Sequence, residues 1–295
     1  MGAVNVRKQP GQIEVNYGMA MNDIIRVFPS GTKWTPRGDL SFVGGPPLFG
    51  VPDLPVYISV TFSWDMKEAR RIAREWSSVT PRVVIGGPAC GTYSEEFIPG
   101  VFVKEGVTFT SRGCPKNCLW CRVKECEGPL REINIAPGYI VQDNNLLACS
   151  RPHIERVFDM LRQQKRGIIF SGGLDIDYLQ PWHVDLLKTI RVKELWVACD
   201  TAADLKRLEK AADMLADFSV EKKRCYVMIG FGDETPNEGE RRCEAVYGKG
   251  FLPFVQYNQP DSTTRRVVPK DWRYIVWKWA RPAVYRRKAV AMDSE

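Results

Sequence analysis

"ELWVACDTAADLKRLEKAADMLADFSVEKKRCYVMI", residues 194–229, sets the architecture of most of the chain. It opens on "ELWVAC" (194–199), an apolar run of strand length. Thr201 follows, with Asp204 three residues on, which is a helix-start signature. Leu205, Leu208, Ala212 and Leu215 then fall beneath one helical face. "CYVMI" (225–229) is the second strand. Strands separated by a helix of this length pair in parallel.

The same alternation extends in both directions. Strand candidates are "GVTFTSR" (106–112), "YIVQ" (139–142), "GIIFS" (167–171) and "LPFVQ" (252–256), giving six with the two above. Ser150 precedes a helix in which Ile154, Val157, Phe158 and Leu161 share a face. Thr235-Pro236 opens another, with Glu238 completing a capping box. The connection over 122–138 reads as loop. Six βα units, with no room for eight, point to an α/β fold of the open or partial barrel kind.

Ahead of these units the pattern is weaker. The first fifty residues are rich in Gly and Pro, and "GGPPLFGVPDLP" (44–55) reads as loop. "VYISVTF" (56–62) and "RVVIGG" (82–87) read as strands. Between them Asp65 is a candidate N-cap with Glu68, and Ala69, Ile72, Ala73 and Trp76 form one stripe. That is one βαβ unit. The expected organisation is an N-terminal extension over 1–100, a barrel over 101–262 and a basic aromatic helix and tail over 263–295. In the tail, Trp272, Ile275, Val276 and Trp279 share a helical face suited to packing, although such basic and aromatic interleaving also suits nucleic acid.

The 295 residues are 44% hydrophobic and 26% charged, as expected of a soluble globular protein with a real core. No apolar run has membrane-spanning length. The N-terminus lacks a signal-peptide apolar core, and Val6 breaks the myristoylation pattern. A cytoplasmic location is the expectation, with no membrane partner. The net charge of +7 favours an anionic partner without identifying one.

Nine cysteines in a non-secretory context argue against a disulfide framework. Cys90, Cys149, Cys199, Cys225 and Cys243 stand singly and read as small buried hydrophobes. Cys114, Cys118 and Cys121 are different. In "TSRGCPKNCLWCRV" (110–123) they have the spacing C-x3-C-x2-C directly after a strand, with Cys126 behind them. Thiolates suit zinc or iron–sulfur clusters. A closed structural zinc site takes four ligands, usually as two separated pairs, and no second pair follows here. Three thiolates with Cys126 as a fourth ligand remain the zinc alternative. Three thiolates alone would leave one iron of a [4Fe-4S] cluster open for chemistry.

The spacing, the aromatic Trp120 before the last cysteine and the position after the first strand of a repeating βα unit resemble the radical S-adenosylmethionine superfamily. The strand ends "VQDNN" (141–145), "FSGGLD" (170–175), "ACDT" (198–201), "VMIGFG" (227–232) and "FVQYN" (254–258) are similar to it as well. The resemblance covers about residues 100–260. It implies a partial (β/α)6 barrel and a [4Fe-4S] cluster on the three cysteines. It also implies reductive cleavage of S-adenosylmethionine to a 5′-deoxyadenosyl radical, and an electron donor such as a flavodoxin or ferredoxin. The substrate is not legible.

It further implies that Asp143, Asn144 or Asn145 meets the methionine amine, and that Gly172 and Gly173 let backbone approach the ligand. Asp200 would accept from the ribose, Ile229, Gly230 and Phe231 would pack on adenine, and Gln256 and Asn258 would reach adenine or substrate. Lys116 and Asn117 would tune the cluster, and Asp175 could face the site. Asp143–Asn145 equally fit an Asx turn, and Asp200 a helix cap. His153 and His183 sit in helices and read as surface or capping residues.

The likeness is greatest to members with a cobalamin-binding domain ahead of the barrel. Residues 1–100 hold no His and no D-x-H-x-x-G motif, which counts against cobalamin. The alternatives are a cobalamin-dependent radical methyltransferase and a non-catalytic, metal-stabilised nucleic-acid-binding module.

Overall fold

The computed structural model describes residues 23–91, 97–258 and 267–285. The first 22 residues and the basic positions 265, 266 and 286–288 therefore lie outside the described residues. The chain is an α/β protein that divides into two units, Met1–Lys104 and Glu105–Glu295.

The first unit is a four-stranded parallel sheet of β1 (Ile25–Phe28), β2 (Ser41–Val43), β3 (Val56–Ser59) and β4 (Val83–Gly86), in the order β2-β1-β3-β4. Helix α1 (Met66–Ser77) connects β3 to β4 and buries Ala69, Ile72 and Trp76 among Ile25, Val27, Val56 and Ile58. The expected single βαβ unit is thus half of a four-stranded parallel sheet whose order reverses between β1 and β3. β1 escaped the sequence reading because Arg26 interrupts its apolar run. All four residues of β1 are nevertheless buried, and the Arg26 guanidinium donates to the Gly100 carbonyl at 2.8 Å.

The expected cap of α1 does not form. A 3-10 turn, Ser63–Asp65, runs straight into the helix and gives Asp65 near-helical angles. Its carboxylate instead accepts from the Ser30 hydroxyl at 2.8 Å, and Glu68 pairs with Arg71.

The second unit carries a six-stranded parallel sheet in strictly sequential order: β5 (Val107–Thr108), β8 (Ile140–Val141), β9 (Ile168–Phe170), β10 (Val192–Ala198), β11 (Lys223–Ile229) and β12 (Leu252–Tyr257). The segment expected to form one strand over 106–112 splits. β5 joins the sheet, while β6 (Ser111–Arg112) pairs antiparallel with β7 (Arg131–Glu132). The 122–138 connection, expected as loop, also holds a single helical turn, α2 (Val123–Cys126).

Helices α3 (Arg151–Arg162), α4 (Pro181–Lys188), α5 (Asp204–Met214) and α6 (Pro236–Gly248) fill the crossovers. Ser150 caps α3 through the His153 amide, and Thr235 with Glu238 forms the capping box of α6. α5 starts three residues after Thr201. The Asp204 carboxylate takes the amides of Thr201 at 2.7 Å and Asp200 at 3.0 Å, so the acidic residue caps the turn from inside.

α3 buries Ile154, Val157, Phe158 and Leu161 against Ile168, Phe170 and Leu195, and each such side chain contributes roughly 1.5–3 kcal/mol. The last helix, α7 (Lys270–Trp279), packs Trp272, Ile275 and Trp279 into the same core, with Val276 at its margin. Cys149, Cys199, Cys225 and Cys243 are buried, and Cys90 is half-buried.

Both histidines are buried rather than on the surface. His183 accepts the Gln180 amide at 3.0 Å as part of the α4 cap, and His153 lies 3.5 Å from Glu132. No helix of the described residues is long and apolar enough to cross a membrane.

Candidate functional site

Because the six strands are parallel, their carboxyl ends share one edge of the sheet, where ligands of such folds bind. The cysteine loop leaves β6 at this edge through Gly113 (φ 75°), where a Cβ would overlap the Gly128 and Pro129 carbonyls. The Cys121 amide closes a turn on the Cys118 carbonyl at 3.0 Å. Cys114 and Cys118 are half-buried, while Cys121 and Cys126 are exposed. Desolvation pushes the Cys118 and Cys121 thiols up, and the neighbouring cysteines add to it. Among the described residues, no three His, Cys, Asp or Glu side chains gather around one point as a single ion would require.

Two sets of side chains tie the loop to the strand ends. In the first, the Asn145 amide donates to Cys114 Sγ at 3.5 Å and to Asp175 Oδ2 at 2.8 Å. Lys116, inside the cysteine loop, bridges Asp175 (3.2 Å) and Asp177 (2.7 Å). Burial works against the Lys116 charge, but the two carboxylates outweigh it and raise its pKa. Asp177 continues the chain of charges to Arg207 at 2.9 Å.

In the second set, the Trp120 indole lies close enough to Asp200 to favour its charged form, and its ring meets Phe231 edge-on with centroids 5.4 Å apart. Asp200 also accepts the Met228 amide at 3.0 Å. Burial nevertheless holds its pKa above the ordinary carboxylate value. Asp200 thus faces β11 and the cysteine loop, while the capping role passes to Asp204.

Other expected residues are placed differently. Asp143 is 1% exposed, and its carboxylate accepts the Thr110 amide at 2.6 Å, the Thr110 hydroxyl and the Ser111 hydroxyl at 3.0 Å. It therefore ties β8 to the strand before the cysteines and has little left for a ligand. Asn144 donates to Glu127 at 2.7 Å.

Gly172 approaches the neighbouring strand, not a ligand: a Cβ there would overlap the Asp143 carbonyl oxygen. Gly173 turns away with open space around it. Ile229 lies at 0% exposure in the helix-facing core, because the period of β11 points its side chain towards α6. The Gly230 amide donates to Glu234 at 2.8 Å. Gln256 is exposed on β12, in register with Met228. Asn258 donates its amide to the Ile229 carbonyl at 2.7 Å, and Asn117 accepts from Lys124 at 3.2 Å.

Two features had no sequence signal. Glu127, in the supposed loop, accepts the Gly113 amide at 3.2 Å and the Asn144 amide, and pairs with Arg112 at 3.5 Å. A lone Glu in a polar segment gives no hint of this. The second is the sheet face away from the helical core, where Trp196, Tyr226 and Phe254 form an aromatic cluster. Trp196 stacks on Tyr226 at 4.4 Å, and Phe254 lies edge-on to Trp196 at 5.6 Å. The Tyr226 hydroxyl donates to the Ser171 carbonyl at 2.9 Å, and burial lifts its pKa to about 12. In the sequence these residues read simply as strand.

The donors are of the type that suits an iron–sulfur cluster, although their side chains do not converge on one point among the described residues. Three thiols lie on one loop at the strand ends, with an amide directed at one sulfur. Asn145 is 1% exposed, and its Oδ1 is a buried acceptor without a hydrogen-bond partner among the described residues. A buried acceptor of this kind ordinarily meets a donor, from solvent or from a ligand. No protein-family model and no curated protein matches the chain.

Proposed function

We propose that this chain is a radical S-adenosylmethionine enzyme whose six-stranded sheet is the partial barrel of that superfamily. The observation that carries the proposal is the Asn145 side chain. It donates to Cys114 and leaves an orphaned acceptor beside it, as a neighbouring ammonium group requires. Cys114, Cys118 and Cys121 would hold a [4Fe-4S] cluster. When bound, such a cluster supplies the electron that breaks the sulfur–C5′ bond of S-adenosylmethionine and yields a 5′-deoxyadenosyl radical.

The chain's own residues bind and orient. Of the three candidates after β8, Asn145 is the one whose free acceptor lies beside a cysteine sulfur, the position proposed for the methionine amine. The Asp200 carboxylate, held by the Met228 amide beside Trp120, offers its remaining lone pairs to ribose hydroxyls. Phe231, braced by Trp120, gives adenine an apolar wall. The Lys116–Asp175–Asp177 network fixes the cysteine loop over the strand ends. The Trp196–Tyr226–Phe254 cluster gives the substrate an aromatic floor.

Anaerobic reconstitution tests the proposal. The wild type should hold about four irons and four sulfides per chain, and Cys114→Ala, Cys118→Ala and Cys121→Ala should each lose them. Adding S-adenosylmethionine should change the EPR spectrum of the reduced cluster. One tightly held zinc, or an unchanged spectrum, would overturn it.

A further inference from the structure

The outer face of α7 is unlike the rest of the surface. Residues 265–288 hold nine Lys and Arg against one acidic residue, a net of +8, whereas the whole chain carries +7. The rest of the sequence is therefore close to neutral in sum, and of the nine cations Lys270, Arg273, Lys278 and Arg281 lie among the described residues. Tyr274 and Trp277 are 49% and 46% exposed there, with ring centroids 6.1 Å apart and planes 33° from parallel. Lys270, Tyr274 and Trp277 follow at helical spacing along one stripe, exposed Arg281 lies just past the end of the helix, and Arg273 flanks the stripe with its Nε on the Val268 carbonyl at 3.0 Å. Lys278 does not belong to the stripe, because Glu240 holds it at 2.6 Å.

We propose that this stripe binds single-stranded nucleic acid, with bases stacked on Tyr274 and Trp277 and phosphates met by Lys270, Arg273 and Arg281. Exposed aromatic rings interleaved with cations are the shared chemistry of single-strand binding surfaces. A lipid surface fits less well. An interfacial helix buries an apolar face in the membrane, and the apolar face of α7, formed by Trp272, Ile275 and Trp279, is already buried in the protein core. The proposal is independent of the chemistry at the cysteine loop.

Fluorescence anisotropy with labelled oligo-U, oligo-dT and a duplex, each about fifteen nucleotides long, tests it on the full chain. Both single strands should bind in preference to the duplex, and the stronger of the two identifies RNA or DNA as the natural ligand. With about three phosphates neutralised, log Kd against log salt should have a slope of about 2. The Tyr274→Ala/Trp277→Ala double variant should lose about tenfold or more in affinity, and Trp277→Phe should retain most of it. Unchanged circular dichroism would show that the double variant is folded. Absence of binding at about 50 mM salt would overturn the proposal. So would equal binding by the folded double variant, or binding only to anionic phosphatidylserine vesicles.

Discussion

The Asn145 amide stands between the Cys114 sulfur, 3.5 Å away, and the Asp175 carboxylate, 2.8 Å away, and couples the end of β8 to the cysteine loop. Its donor and acceptor atoms have separable roles. Asn145→Ala should move the reduction potential of a reconstituted cluster to more negative values, because an N–H bond to sulfur favours the more negative reduced form. It should also weaken S-adenosylmethionine binding about tenfold or more, since a hydrogen bond to a charged group is lost. Asn145→Asp keeps an acceptor and removes the donor, so it should shift the potential while sparing much of the affinity. Redox titration by EPR and equilibrium binding read the two effects separately.

Glu127 anchors the base of the same loop. Glu127→Ala leaves the Gly113 amide, Asn144 and Arg112 without this shared acceptor. The expected cost is about 1–3 kcal/mol in urea unfolding, together with poorer iron retention. Glu127→Gln, which keeps one acceptor oxygen, should fall between the two. A variant as stable and as iron-replete as wild type would show that the loop does not depend on Glu127.

The two adjacent glycines after β9 should respond very differently. Gly173 has φ 98° and open space around it, so Gly173→Ala costs only backbone strain of about 1–2 kcal/mol. Gly172→Ala drives a methyl group into the Asp143 carbonyl, and no rotamer relieves a clash with backbone. Thermal unfolding should place Gly172→Ala well below Gly173→Ala. The reverse order would contradict the close approach of β8 and β9.

These particulars show what the sequence could and could not reveal. The strands of the larger sheet, apart from the break after β5, and the helices α3, α5 and α6 were legible because their apolar residues or caps follow clear local patterns. The caps at Ser150 and Thr235 were legible because each needs only a local pattern. β1 was hidden because Arg26, a charged residue, is buried through a distant carbonyl partner.

The site divides in the same way. The cysteine spacing is local and was readable, and Trp120, Asp200 and Phe231 do meet. Which of Asp143, Asn144 and Asn145 has free capacity depends on Thr110, Ser111 and Glu127. Those contacts span between 17 and 33 positions in the chain and leave no trace in the letters themselves.

His183 gives a pH dependence that is separate from the site. Burial lowers its pKa from 6.5 to about 4, with Arg151 adding to the shift. The folded value lies below the unfolded one, so the stability is present above about pH 6.5 and is lost as pH falls towards 4. A shift of this size corresponds to about 3 kcal/mol. Urea unfolding of the wild type should lose about that much more over this window than His183→Asn does. Parallel losses would show that His183 does not titrate with folding.

The most direct measurement is the formation of 5′-deoxyadenosine. The anaerobically reconstituted protein is given dithionite and S-adenosylmethionine, and the nucleoside is quantified by mass spectrometry beside Cys118→Ala. The account requires nucleoside from the wild type and none above background from the variant. A wild type with a fully loaded cluster that forms no nucleoside, and whose reduced EPR spectrum ignores S-adenosylmethionine, would contradict it.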